Sequence, residues 1–358
     1  MAKLIAFTGG GTMGPVAPLL ALHNALKEMD PDFDFIWAGT EEGPEKKPIN
    51  EQSIEFVAIP TAKFSRYPSR KWLSFIFDYH KAKKASKAFL EKFKPDIIIG
   101  AGGFTQVPII RVASKMDIPC IVHQLDFQPT MSNSVIAKYC KIITTSFVYH
   151  NRKFSKCNQE RHIATPNRFA NKQIPGKSVA KEYYGFDPNK PLLFVVGGGT
   201  GARSLNDLVE NNLNDWLNLT QVLQVTGKNR SQGSQERMGY VRREFLNEKD
   251  MLHALAAADI IISRAGFGAI SDFAALSKPV IIVPIPNSQQ EKNSRHLPNA
   301  IVEVKEGPEF FKRVYKQASL LLHNSEQSRF LGYELNKAIP TDDGRELANI
   351  VIKFIPKD

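Results

Sequence analysis

Leu4-Ile5-Ala6-Phe7-Thr8-Gly9-Gly10-Gly11-Thr12-Met13-Gly14, near the start of the chain, and Pro191-Leu192-Leu193-Phe194-Val195-Val196-Gly197-Gly198-Gly199-Thr200-Gly201-Ala202, past its middle, decide the fold. Each is a continuous apolar run that ends in a glycine-rich turn, where a buried strand hands over to a helix. Glycine lets the backbone turn tightly and lie against a charged ligand, and the following helix aims N–H groups and a positive dipole end at anions. Two such turns imply two nucleotide-type domains facing one ligand cleft.

Working outward, apolar runs alternate with helical patterns. In the first half strands are expected at Phe35–Ala38, Ile54–Ile59, Asp96–Gly100, Pro119–His123 and Ile142–Ser146. In the second they are expected at Leu192–Val196, Gln221–Thr226, Gly239–Val241, Asp259–Ser263 and Pro279–Pro284. Such alternation predicts α/β architecture: two Rossmann-like, doubly wound parallel sheets with ligands at the carboxyl ends of the strands. The expected division is 1–164 and 165–342, with a loop-like stretch around Ile163–Pro175. A helix over Asp343–Phe354 is expected to cross back onto the first domain.

The 358 residues suffice for two full cores, and 42% hydrophobic with 23% charged residues is the balance of a soluble globular protein. Cys120, Cys140 and Cys157 have neither zinc nor redox spacing, which points to packing roles in a reducing compartment. The opening Met1–Phe7 is too short an apolar run for a signal peptide, and no uncharged stretch reaches membrane-spanning length unbroken. The expected location is cytoplasmic or peripheral.

A formal charge of +11 asks for an anionic partner, and most of it is local. Between Pro60 and Lys94, ten lysines and arginines, Lys81, Lys83 and Lys84 among them, face only Asp78 and Glu91. Phe64, Tyr67, Trp72, Phe75, Phe77 and Tyr79 are interleaved with them. That mixture fits either a surface docking on anionic lipid or an amphipathic helix with its aromatics in the core. No helix-turn-helix, zinc-finger or RNP-like pattern supports nucleic acid as the partner.

A single G-x-G-x-x-G match is weak, and an NAD or FAD domain is its bland reading. Such a domain wants an acid at the end of the second strand; Glu41 is the one candidate in the first half, and the second half ends that strand on Thr226-Gly227-Lys228 without one. The stronger signal is Ser263-Arg264-Ala265-Gly266-Phe267-Gly268-Ala269-Ile270-Ser271-Asp272-Phe273. There a strand end and glycine turn lead into a helix whose N-terminus suits a diphosphate, with Asp272 placed to take ribose hydroxyls. The amide-rich Asn287-Ser288-Gln289-Gln290 through Asn293 follows, suited to sugar hydroxyls. Together they describe a nucleotide-sugar site.

An ordered set of motifs over nearly the whole chain resembles the MurG glycosyltransferases of peptidoglycan synthesis, a GT-B group within glycosyltransferase family 28. The set runs Gly10-Gly11-Thr12 with Pro18, Gly102-Gly103-Phe104 with Pro108, His123, Pro166-Asn167-Arg168, and Gly197-Gly198 with Gly201-Ala202. It closes with Ser263-Arg264-Ala265-Gly266, Pro284, Gln289-Gln290 and Asn293. The resemblance implies an inverting transfer of N-acetylglucosamine from UDP to a lipid-linked muramyl-peptide acceptor, lipid I to lipid II, at the inner face of the cell membrane, with no metal or other cofactor.

Residue by residue, it implies donor contacts from Arg168, Gly198, Gly199, Thr200, the backbone near Leu246, Gly266, Phe267, Gly268, Ala269, Asp272 in place of a glutamate, Gln289, Gln290 and Asn293. The loops Gly10-Gly11-Thr12-Met13-Gly14 and Gly102-Gly103-Phe104 would face the acceptor diphosphate, and Trp72, Phe75, Lys81, Lys83 and Lys84 the membrane. Where the family has a histidine in its first glycine loop, this chain has Pro15, which takes no proton. Asp126, where the family has asparagine, becomes the expected catalytic base, with His123 competing. A transferase acting on another glycolipid, a UDP-sugar epimerase and a UDP-sugar-binding protein without turnover are the alternatives.

Overall fold

A computed structural model describes residues 2–61, 71–149, 153–198, 201–227 and 237–356, the side chains of 71–74 excepted. It divides into two compact units, Met1–Arg168 with Asp342–Asp358, and Phe169–Thr341.

The first unit runs β1 (Leu4–Thr8), α1 (Val16–Met29), β2 (Asp34–Gly39), α2 (Lys46–Glu51), β3 (Glu55–Ala58) and α3 (Lys71–Phe93). It continues β4 (Ile97–Gly100), α4 (Gln106–Ala113), β5 (Cys120–Gln124), α5 (Met131–Ile136), β6 (Ile142–Thr145), β7 (Glu160–His162) and β8 (Thr165–Pro166). Seven strands form one sheet in the order β3-β2-β1-β4-β5-β6-β7. Every pairing is parallel, with Phe7 level with Trp37 on one side and Ile99 on the other. Parallel strands covered on both faces read as unbroken apolar runs, and Ile97, Ile98 and Ile99 are fully buried in succession. Each such side chain contributes roughly 1.5–3 kcal/mol on burial.

The second unit contains α6 (Lys177–Tyr183), β9 (Leu192–Val196), α7 (Arg203–Glu210), α8 (Leu213–Leu219), β10 (Gln221–Val225), β11 (Tyr240–Arg243) and α9 (Glu248–Ala257). Then follow β12 (Ile260–Ser263), α10 (Phe267–Ala275), β13 (Val280–Ile282), α11 (Gln289–Arg295), β14 (Val302–Glu303), α12 (Phe310–His323) and α13 (Ser325–Ala338). Its six-stranded sheet runs β11-β10-β9-β12-β13-β14, again all parallel. Trp216 is fully buried in this core, its indole N–H donating to the Leu208 carbonyl at 3.1 Å.

In each sheet the order reverses beside the first strand, between β1 and β4 and between β9 and β12. That crevice at the carboxyl ends is where doubly wound sheets take ligands. The turns Gly9–Gly14 and Gly102–Gly103 flank it in the first unit, and Gly197, Gly198, Gly201 and Gly266 flank it in the second.

After the second unit the chain ends in α14 (Arg345–Phe354), which belongs to the first. Leu347, Ala348, Ile350 and Val351 are buried in the same core as Leu19, Leu22 and Leu26 of α1. Asp342 starts the helix by accepting from the amides of Gly344 and Glu346 at 3.2 and 2.8 Å, and Glu346 in turn accepts from Ala164 N–H at 2.9 Å. Gly344 has φ +96°, and a Cβ there would come within 2.8 Å of the α1 backbone at Ala21 and Leu22, so glycine is required.

The three cysteines are buried free thiols. Burial pushes Cys120 up to about 12, with nearby Lys141 opposing, so it stays a protonated packing group.

Candidate active site

In the first unit the two glycine turns are packed together. A Cβ on Gly103, whose φ is +87°, would sit 2.8 Å from the Gly10 carbonyl oxygen, and Pro15 lies against both Gly9 and Gly102. Trp37 donates its buried indole N–H to the Gly9 carbonyl at 3.0 Å. The α1 amides of Val16 and Ala17 both donate to Met13 O at 3.1 Å, so the loop's own carbonyl caps the helix. Gly11 N–H donates to Glu45 Oε2 at 3.1 Å. The anion-binding N–H groups expected of this turn are thus partly taken by the protein itself. Thr12 and Phe104 are exposed, while Met13 and Gly14 are half-buried.

Glu45 was missed in the sequence. It lies four residues past the Glu41 that a dinucleotide site would use; Glu41 is exposed and Glu45 is buried. The signal was the run Gly39-Thr40 and Gly43-Pro44 around it, small residues that let a carboxylate fold back under the loop.

His123, expected as a possible base, has another part. It is fully buried, with Nδ1 2.9 Å from Thr144 Oγ1 and Nε2 3.0 Å from Ser146 Oγ. Burial, reinforced by His162, lowers its pKa to about 3, so both ring nitrogens serve as neutral struts between β5 and β6. It offers no basic nitrogen to a substrate.

Asp126 lies just beyond β5 and is half-buried. Its loop hangs on a chain of buried amides. Gly102 N–H donates to Gln106 Oε1 at 3.1 Å, and Gln106 Nε2 to Asn133 Oδ1 at 2.5 Å. Asn133 Nδ2 donates to Gln124 Oε1 at 2.7 Å, and Gln124 Nε2 reaches the carbonyls of Asp126 and Gln128 at 2.7 and 2.9 Å. The second glycine turn and the Asp126 loop are therefore one hydrogen-bonded body. Phe127 packs edge-on to Phe147 and Tyr149, and the Tyr149 phenol is raised by burial first and then by the charges of Glu160 and Asp126.

On α3, Ala82, Ser86, Phe89 and Leu90 are buried, while Ile76 and Phe77 are 54% and 69% exposed beside exposed Lys81, Lys83, Lys84 and Lys87. Phe75 is half-buried and stacks on Tyr79. The helix divides: its C-terminal part is core, and its earlier turns carry an apolar and basic surface. The Trp72 side chain lies outside the described residues, as do Phe64, Tyr67, Gly199 and Thr200.

In the second unit β12 delivers the Ser-Arg-Ala-Gly segment to the crevice. Ser263 Oγ donates to the Val196 carbonyl at 2.8 Å, tying the two strand ends together. Arg264 donates to Val283 O at 3.1 Å, to Ser204 Oγ at 2.6 Å and to Glu306 at 2.7 Å, bracing the β12 and β13 ends against α7. Burial opposes ionisation of Glu306, but the hydrogen bonds from Ser204 and Arg264 outweigh it and lower its pKa.

Gly266 is the N-cap of α10, a helix with no side-chain cap and no acid in its first turn. A Cβ on Gly266 would meet nothing within 4 Å, and the same holds for Gly198 across the switch point. Phe267 is buried, Gly268 and Ala269 are half-buried in the first turn, and Asp272 is 6% exposed. Leu246 is buried, leaving its backbone as what a ligand could read.

Gln290 accepts the Ile285 amide at 3.1 Å, and Asn293, nearly fully buried, donates to Ala265 O at 3.3 Å. Both shape the donor loop from within; Gln289 is half-buried at the start of α11. Arg168 is half-buried at the end of the first unit, after Asn167, whose N–H donates to Asp342 O at 2.7 Å.

Residues 5–145 match the glycosyltransferase family 28 N-terminal domain, and residues 192–322 its C-terminal domain. A UDP-N-acetylglucosamine–N-acetylmuramyl-(pentapeptide) pyrophosphoryl-undecaprenol N-acetylglucosamine transferase of Clostridium botulinum is 34% identical over 295 residues, 82% of this chain and 80% of the relative. The transferase of the same name from a Nocardioides species is 30% identical over 98% of both chains. Among solved structures, Acinetobacter baumannii MurG superposes with a TM-score of 0.70 at 19% identity, covering 98% of this chain and 99% of the other. The chain belongs to glycosyltransferase family 28, as a MurG-like UDP-sugar glycosyltransferase of the GT-B fold.

Proposed function

We propose that this protein transfers N-acetylglucosamine from UDP to a polyprenyl-diphosphate-linked muramyl-peptide, with inversion and without a metal. Its relatives at 30–34% identity carry the N-acetylglucosamine transfer in their names. The observation that carries the reading is the start of α10, where an uncapped helix N-terminus opens on free space at the switch point, with Asp272 farther along the same helix.

In this reading the acceptor hydroxyl attacks the anomeric carbon as the carbon–oxygen bond to the diphosphate breaks. The bonding electrons leave with UDP. The growing charge on the diphosphate meets the α10 dipole and first-turn amides, a fixed arrangement that needs no reorganisation during the reaction. Asp126 accepts the hydroxyl proton, since Pro15 replaces the family's histidine and His123 is a buried strut. The polar groups of Gln289, the Gln290 amide nitrogen and Asp272 select sugar and ribose hydroxyls. The exposed apolar and basic turns of α3 hold the enzyme on anionic lipid, where its acceptor resides.

Radiolabelled UDP-N-acetylglucosamine offered to lipid-linked muramyl-pentapeptide tests the reading, with other glycolipids as controls. Label transfer to the muramyl acceptor is expected. Calorimetric binding of NAD without UDP, or UDP binding without turnover on any acceptor, would refute it.

A further inference from the structure

The carboxylate of Glu45 lies under the first glycine turn with no solvent exposure. Its partners are backbone and hydroxyl donors: Gly11 N–H to Oε2 at 3.1 Å, Thr40 N–H to Oε1 at 2.8 Å, and the Thr40 hydroxyl to the same oxygen. The cavity around it is made of missing side chains. A Cβ on Gly10 or Gly43 would collide with the carboxylate, and one on Gly39 would approach Oε1 to 3.4 Å and strike the Phe56 ring. Gly10 in turn supports Gly103 of the second glycine turn. A column therefore runs from the β2 end through Glu45 and Gly10 to Gly103.

We infer that Glu45 is the positioning residue of the acceptor-facing glycine turns, an internal anion that occupies the Gly11 amide and sets the backbone path of Gly9–Gly14. The inference rests on the acceptor reading given above. It assigns part of the glycine signature to the protein's own carboxylate rather than to a ligand. An incoming acceptor diphosphate then meets a turn already shaped and already carrying a negative group behind it. Its contacts fall on the exposed side of the turn, at Thr12 and along Gly102–Phe104. Because Glu45 touches no reacting atom, its influence travels through placement, and misplacement by about 1 Å at such a site costs on the order of 100-fold in rate.

The test uses Glu45→Gln, Glu45→Ala and Thr40→Val in the full chain. Glutamine keeps the length and one accepting oxygen, so it serves Gly11 or Thr40 but not both. Valine keeps the shape of Thr40 and removes one donor. The expected result is a fall in kcat/KM for the lipid-linked acceptor of about tenfold for Thr40→Val and Glu45→Gln, and about a hundredfold for Glu45→Ala. KM for the UDP-sugar and the calorimetric affinity for UDP should stay within about twofold of the parent, since those contacts, Arg168 apart, belong to the other unit.

Hydrogen exchange read by mass spectrometry on the peptide spanning Gly9–Gly14 should accelerate in all three. Parental acceptor kinetics in Glu45→Gln and Thr40→Val, or unchanged exchange in that peptide, overturns the inference; Thr40→Val keeps this decisive where Glu45→Ala fails to fold. A parent without acceptor turnover whose variants still show accelerated exchange refutes the acceptor reading instead, and removes the role inferred for Glu45 in it.

Discussion

Acid should weaken this protein chiefly through His123. His123 is fully buried and its pKa is lowered by burial to about 3, against 6.5 for an unfolded chain. Between those values the unfolded state binds a proton that the folded state refuses, so stability is full above pH 6.5 and is lost as pH falls. One pKa unit corresponds to about 1.4 kcal/mol, so the loss from pH 7 to pH 5 is about 2 kcal/mol, and about 4 kcal/mol at pH 3. His23, also lowered, chiefly by burial, adds in the same direction and is present in both proteins compared. The perturbation is His123→Gln, which retains a hydrogen-bonding end for Thr144 or Ser146 and does not titrate. Urea unfolding at pH 7, 6 and 5, with native-state exchange of β5 and β6 amides to assign the change to the first unit, should show a pH dependence about 2 kcal/mol shallower in the variant. Nitrogen chemical shifts of the imidazole should stay those of the neutral ring down to pH 5. Equal pH dependence in both proteins, or a ring that titrates near 6.5, refutes the strut assignment and returns His123 to the list of bases.

Asp126→Asn should lower kcat at least about a hundredfold with UDP affinity intact, measured by initial rates and calorimetry; near-parental turnover would remove Asp126 as the base. Asp272→Ala should weaken UDP by about 1–3 kcal/mol through lost ribose hydrogen bonds, and unchanged calorimetric affinity would refute that contact. Gly266→Ala should leave the melting temperature within about 2 °C, because a Cβ there meets open space, yet lower UDP affinity at least about tenfold by entering the diphosphate's place. Replacing Lys81, Lys83 and Lys84 with Glu should reduce binding to anionic vesicles at least about a hundredfold, at about 1 kcal/mol per lysine, with high salt mimicking the effect; equal partitioning of variant and parent would refute the docking surface.

What the sequence exposed well were the strands. The runs ending at Thr8, Gly100, Val196 and Ser263 are apolar on both faces, and each ends on a glycine turn or, for Ser263, three residues before one, so type and boundary were legible together. The short strands Glu160–His162 and Val302–Glu303 were missed because they lie at sheet edges and carry charge, without the periodicity of a buried strand. The basic aromatic stretch admitted two readings because one helix carries both a buried part and an exposed apolar and basic part. Ala82, Phe89 and Leu90 are core, and Ile76 and Phe77 are surface. Composition averages the two, whereas burial resolves them residue by residue.

The site shows the same limit in sharper form, because glycine records only that a side chain is excluded and not what excludes it. At Gly266 and Gly198 the excluded volume is empty, which is what a bound diphosphate requires. At Gly10 it is filled by Glu45, and at Gly103 by the backbone of Gly10. These two kinds of glycine are identical in sequence, and both carry a helix behind them. The polar residues divide likewise: Gln290 and Asn293 read as sugar ligands by composition, yet each has a side-chain contact inside the protein, to Ile285 and to Ala265. An amide-rich loop with a precise backbone needs such internal bonds, so the residues that hold the donor loop in shape and those that touch the sugar are drawn from the same few types. The chemistry that distinguishes them is direction, which is set by partners far away in sequence: Glu45 is 34 residues from Gly11, and Asn293 is 28 from Ala265.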